Sequence, residues 1–327
     1  MKANKMNFYI LYMDNKIYIQ EHNEVSEFST LIMGYEPEIH TRIINNISRE
    51  DILKDSTYVI YNVNKYHELP NIDSLNRFFC EWCSMYYIWK NQIKSDLVTF
   101  CHYRRMISKD VVLECINQNK DKDVIFYYYM SIRTFHNLCN ETKIYQILGS
   151  DNKLVKENLY LSVYLQALNL PPNLLTDILY YVQVSKKNYV DTNRLDCFAN
   201  RISDPNYITK FLMRSIFTTY WEVFNELMSF IYGLFSFIFN KYNIQWNLDS
   251  VINWYINEII PYYRENFDRN LLLYQSISNY DLIYNNENYG YPNSNVYRLF
   301  AYIIEILIGY YLVGNKNYNS HFGELKI

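Results

Sequence analysis

Lys+Arg 31 against Asp+Glu 34 leaves the 327-residue chain with a net charge of -3, without the one-sided basic balance of a dedicated nucleic-acid binder, so nucleic acid is not an expected partner. The length suits one large α/β domain or two smaller ones, and it can bury a substantial core. Only 7 glycines occur where average usage of about 7% gives roughly 23, and no G-x-G-x-x-G or G-x-x-x-x-G-K-[ST] string is present, which argues against the Rossmann dinucleotide and P-loop readings.

Residues 7–22 read as two short strands, Asn7–Met13 and Lys16–His22, hinged at Asp14-Asn15, where Asx residues favour a turn. Tyr58–Val63 is a third β-branched and aromatic run, and Asn64–Pro70 is a polar loop. From Leu75 the apolar residues fall at 75, 78, 79, 82, 85, 86 and 89, the stripe of one buried helix, with Asp73 or Ser74 as its N-cap. Asp96–Cys101 is a short apolar run of buried-strand length, so strand, helix and strand follow in the order of a parallel sheet. Val124–Tyr129 is another strand. Residues 136–182 are mainly helical with a break at Pro171-Pro172, and 185–206 are polar and loop-like. Phe211–Met213 forms a last short strand before helices at 215–240, 247–260 and 296–313. No internal repeat and no Pro/Gly/Ser linker divides the chain, which points to a single α/β domain with a helix-rich C-terminal part.

The 6 cysteines, Cys80, Cys83, Cys101, Cys115, Cys139 and Cys197, follow no secretory signal and are expected as reduced thiols in a cytoplasmic compartment. Cys80 and Cys83 make a lone C-x-x-C inside the helical stripe, which favours core packing over zinc. The apolar runs 228–239 and 299–313, the latter carrying Glu305, fall short of the roughly 18 to 20 residues of a spanning helix. They read as packed helices, with peripheral membrane contact as the minority reading. The 36 tyrosines accompany many Asn, Ile and Lys residues, so AT-rich codons are the favoured explanation over a special aromatic ligand surface, and tyrosine also fills half-buried positions well.

Asn71–Arg105 reads N-I-D-S-L-N-R-F-F-C-E-W-C-S-M-Y-Y-I-W-K-N, then Q-I-K-S, then D-L-V-T-F-C-H-Y-R-R. This segment resembles the signature of a bacterial capsule and O-antigen glycosyltransferase family catalogued as domain of unknown function 4422. The matching positions are Asn71, Ile72, Asn76, Phe79, Cys80, Glu81, Tyr86, Trp89, Lys90, Asn91 and His102 through Arg105. Weaker echoes lie at Lys16–His22, Lys210–Arg214 and Arg298–Glu305. Trp82-Cys83 stand where the family usually has Leu-Thr, and Tyr87 replaces a Trp. The resemblance implies a GT-A type fold, a central mixed sheet flanked by helices. It also implies sugar transfer from a nucleotide-sugar donor, with residues 1–135 the donor-binding half and 136–327 a mainly helical acceptor-side half.

Such a transfer builds negative charge on a departing diphosphate. GT-A enzymes usually hold it with a D-x-D after an apolar strand, binding a divalent metal. Here the strand ends in His102-Tyr103-Arg104-Arg105, whose two guanidiniums pair bidentately with phosphate and can replace the cation. Asp121-Lys122-Asp123 is a literal D-x-D, yet it precedes its apolar run and reads as a turn entering a strand, so no cofactor is firmly expected and Mn²⁺ or Mg²⁺ stays open. Tyr103 joins the same substrate-binding turn. Glu81 lies at the margin of the helical stripe, where it can bind sugar hydroxyls, orient an arginine or serve as an ordinary surface charge. Lys90 and Asn91 read as a helix end. Arg298 and Glu305 share a helical face about 10.5 Å apart along the axis, on the acceptor side or in a salt-bridge network. His22 is a candidate nucleotide contact. The expectation is a soluble hexosyltransferase using a UDP-sugar and a glycan or lipid-linked glycan acceptor in surface polysaccharide synthesis; the alternative is a catalytically silent glycan-binding or structural protein on the same fold.

Overall fold

The computed structural model describes residues 6–11, 28–34, 58–62, 70–102, 109–127, 130–131, 161–162, 165, 168, 170–186, 210–211, 216–265, 298–315 and 317–322. The strands are β1 Met6–Leu11, β2 Phe28–Gly34, β3 Tyr58–Asn62, β4 Leu97–His102, β5 Val124–Phe126, β6 Met130–Ser131, β7 Lys210–Phe211, β8 Phe217–Tyr220 and β9 Ser320–Phe322. The helices are α1 Asn76–Phe79, α2 Trp82–Lys90, α3 Lys109–Gln118, α4 Pro172–Lys186, α5 Trp221–Lys241, α6 Leu248–Trp254, α7 Ile260–Glu265 and α8 Leu299–Gly314. Proline opens α4, where its missing N–H is harmless. Between α6 and α7 lies a π turn, Tyr255–Ile259, just ahead of Pro261, which cannot donate to the carbonyl four residues back.

One mixed sheet has the order β3-β2-β1-β4-β8-β5-β9. β1 pairs in parallel with β2 on one edge and β4 on the other over Met6–Leu11; the second expected strand, Lys16–His22, and the turn at Asp14-Asn15 lie outside the described residues. β8 is antiparallel to both β4 and β5, and β9 returns parallel to β5. The expected helix at 215–240 is thereby corrected: Phe217–Tyr220 is a central strand, and the helix starts at Trp221. Thr218 explains the strand, since its hydroxyl meets Thr99 at 2.6 Å and Tyr127 at 2.7 Å, giving these fully buried hydroxyls partners across three adjacent segments. The strand β7 pairs with β6 in a separate ribbon; β2, β9 and the helix α3 had no counterpart in the sequence reading.

The stripe from Leu75 is buried as expected at 75, 78, 79, 82, 85 and 86, but it is not one helix. A 3-10 turn, Asp73–Leu75, leads into α1, which stops at Cys80 before α2 begins. Leu75, and not the expected Asp73 or Ser74, occupies the cap position of α1, with no side-chain bond. Phe79 anchors the break: its ring lies 5.1 Å from Trp82, 5.0 Å from Phe235, 5.9 Å from Trp246 and 5.1 Å from Phe300. Such tilted, edge and stacked contacts among large rings dominate this core. Tyr87, Tyr127, Tyr255 and Tyr310 are among the largest fully buried side chains, so part of the tyrosine excess is core material.

The helix α5 has 21 residues and, by length and composition, is long and apolar enough to cross a membrane, longer than the apolar run 228–239 suggested. It packs against α2, α4, α8, β4 and β8, and 50% of its apolar window is buried.

Candidate functional site

In the first half of the sheet the chain runs outward from β1 to β2 and β3, then crosses back to β4 on the other side of β1. That reversal makes the carboxyl ends of β1 and β4 a topological switch point, the crevice where open α/β sheets bind ligands. Leu11 and His102 are register partners there. His102 is therefore the last strand residue at the switch point. Tyr103, Arg104 and Arg105 follow it directly in sequence, and they and His22 lie outside the described residues.

The D-x-D is at the opposite edge. Asp121-Lys122-Asp123 enters β5 from its amino end, and β5 runs parallel to β4 through the shared antiparallel neighbour β8. The Asp121 carboxylate takes an ion pair from Lys122 at 2.7 Å, and Asp123 Oδ2 accepts the Asn319 N–H at 2.8 Å. The motif is a turn entering β5, as its order in the sequence suggested, and it ties β5 to the entry of β9 at the edge opposite the switch point.

A second group of the residues singled out in the sequence comes from α1, α2 and α8. The helix α5 starts at the amino edge, where the Trp221 N–H donates to the Asp96 carbonyl at 3.2 Å. At 1.5 Å per residue, Phe235 and Phe239 stand roughly 21 and 27 Å along it, while the strand β4 spans roughly 20 Å. Phe79 packs on both rings, at 5.0 and 6.2 Å, so the Cys80 break lies beside the second half of α5. The other end of α2 is tied down near the amino edge, where Trp89 Nε1 donates to Asn225 Oδ1 at 2.9 Å.

That tie also explains the W-K-N of the motif. Lys90 lies over the Tyr232 ring at 5.3 Å. Asn91 closes the helix, its Nδ2 donating to the Tyr87 carbonyl at 2.9 Å and the Pro70 carbonyl at 3.0 Å. These residues terminate the helix, as read from the sequence. Cys83 points its thiol at the Ile72 carbonyl at 3.5 Å, and both cysteines of the C-x-x-C are buried and unpaired with one another, the expected core role.

Cys80 adopts φ 52° and ψ -130°, a conformation that a residue with a Cβ rarely takes and that concentrates at functional sites. The turn puts Glu81 at the N-cap of α2. Arg298, Tyr302 and Glu305 come from one face of α8 at i, i+4 and i+7, and Phe300 on the same helix packs on Phe79. Glu81, Arg298, Tyr302 and Glu305 are all half-buried, and their charges meet at two acids. Burial pushes the Cys80 thiol well above its ordinary value, with Glu81 and Glu305 adding to the rise and Arg298 opposing it. The Tyr302 phenol is pushed up to about 12 by burial, with Arg298 opposing and Glu305, Cys80 and Glu81 adding. Cys80 is thus held as a thiol and is no nucleophile at neutral pH. The structure joins three of the residues singled out in the sequence, Glu81, Arg298 and Glu305, which lie far apart in the chain. Tyr302 was missed, although its spacing from Arg298 and Glu305 in R-L-F-A-Y-I-I-E places it on their face.

Among known proteins, a family model described as a domain of unknown function (DUF4422) matches residues 16–289. No curated protein matches. Among solved structures, the chain is similar to the apo structure of the bifunctional glycosyltransferase WbbM, with 12% identity and a TM-score of 0.44 over 98% of this chain. The chain spans 45% of the length of that protein.

Proposed function

The chain belongs to the DUF4422 family, and from that premise we propose that it is a GT-A type glycosyltransferase moving a hexose from a nucleotide sugar, a UDP-sugar, to a glycan or lipid-linked glycan acceptor in surface polysaccharide synthesis at the cytoplasmic side of the membrane. The observation that carries the reading is the place of His102, at the switch point between β1 and β4 with Tyr103-Arg104-Arg105 next in the chain. A mixed sheet with β8 reversed between parallel neighbours supports the fold assignment.

In this reading Arg104 and Arg105 meet the charge that grows on the leaving diphosphate. Guanidiniums suit the task because they stay ionised and donate in a planar fork, and fixed donors need no reorganisation as the bond breaks. Glu81, Arg298, Tyr302 and Glu305 supply acceptors and donors for sugar hydroxyls on the acceptor side. Among the described residues no group of three or more His, Cys, Asp or Glu side chains could hold a metal ion, and Asp121-Lys122-Asp123 enters β5 at its amino end.

Calorimetric titration of UDP tests the reading. Arg104→Ala and Arg105→Ala should each weaken binding by about 1.5–3 kcal/mol, the range for a hydrogen bond to a charged group, and EDTA should leave wild-type binding intact. Unchanged affinity in both folded variants refutes the arginine assignment, as does a large gain on adding Mn²⁺.

A further inference from the structure

We draw no further inference here: the strongest candidate, the apolar surface patch that the exposed Tyr180 and Val184 of α4 form beside α5, rests on exposure alone, and nothing in the structure shows what covers it.

Discussion

Paired substitutions at Cys80 measure the strain in the turn that presents Glu81. The thiol site is 3% exposed, and both Cys80→Ala and Cys80→Gly remove the same sulfur, so that packing loss cancels in their difference. At an unstrained position alanine would win by about 0.5–1 kcal/mol of chain entropy and by roughly 0.8 kcal/mol for the buried Cβ. Cys80 sits at φ 52° and ψ -130°, away from the small left-handed helical basin, where a residue with a Cβ costs about 1–3 kcal/mol. Taking the middle of each range, glycine comes out ahead by about 0.5 kcal/mol, the reverse of the ordinary order. Urea unfolding of the two proteins, compared at equal m values, reads the difference directly. A Cys80→Ala protein more stable than Cys80→Gly by about 1 kcal/mol or more would mean that the turn is unstrained and that its link to the site is wrong.

Other perturbations act elsewhere in the fold. Asp177, 5% exposed, accepts from Lys241 Nζ and from the Tyr242 hydroxyl at 2.8 Å, so Asp177→Ala should cost about 1–3 kcal/mol, with the half-exposed lysine contributing under about 1 kcal/mol of it; an unchanged denaturation midpoint contradicts this. A Cβ at Gly233 would stand 2.2 Å from the Tyr181 hydroxyl, so Gly233→Ala should destabilise by about 1–3 kcal/mol through overpacking, and adding Tyr181→Phe should recover part of the loss in a double-mutant cycle. Burial, with Tyr232 nearby, pushes Tyr86 up to about 12, and burial pushes Tyr302 to a similar value. The unfolded chain ionises these phenols first, so their stabilisation is complete below pH 10 and fades as pH rises toward 12. Denaturation midpoints that stay flat from pH 9 to 12 would rule this out.

Local chemistry made much of this protein legible from its sequence. Burial of 75, 78, 79, 82, 85 and 86 followed from a period that depends only on helix geometry, and the strand at 97–102 followed from a run too apolar for any exposed segment. The order of Asp121-Lys122-Asp123 relative to its apolar run marked it as a turn entering a strand for the same local reason, whereas its place at the far edge comes from the pairing of β8 with both β4 and β5. Tertiary structure decided the rest. The break at Cys80 keeps every apolar residue of the stripe facing inward, so periodicity carries no trace of it. Phe217–Tyr220 reads on into the apolar helix that follows, and it is a strand because β4 and β5 both need a neighbour and Thr99 and Tyr127 need a hydroxyl partner. The electrostatic coupling of Glu81, Arg298 and Glu305 at Cys80 and Tyr302 joins segments more than two hundred positions apart in the chain. No local rule contains that distance, because the free energy that closes it belongs to the assembled core.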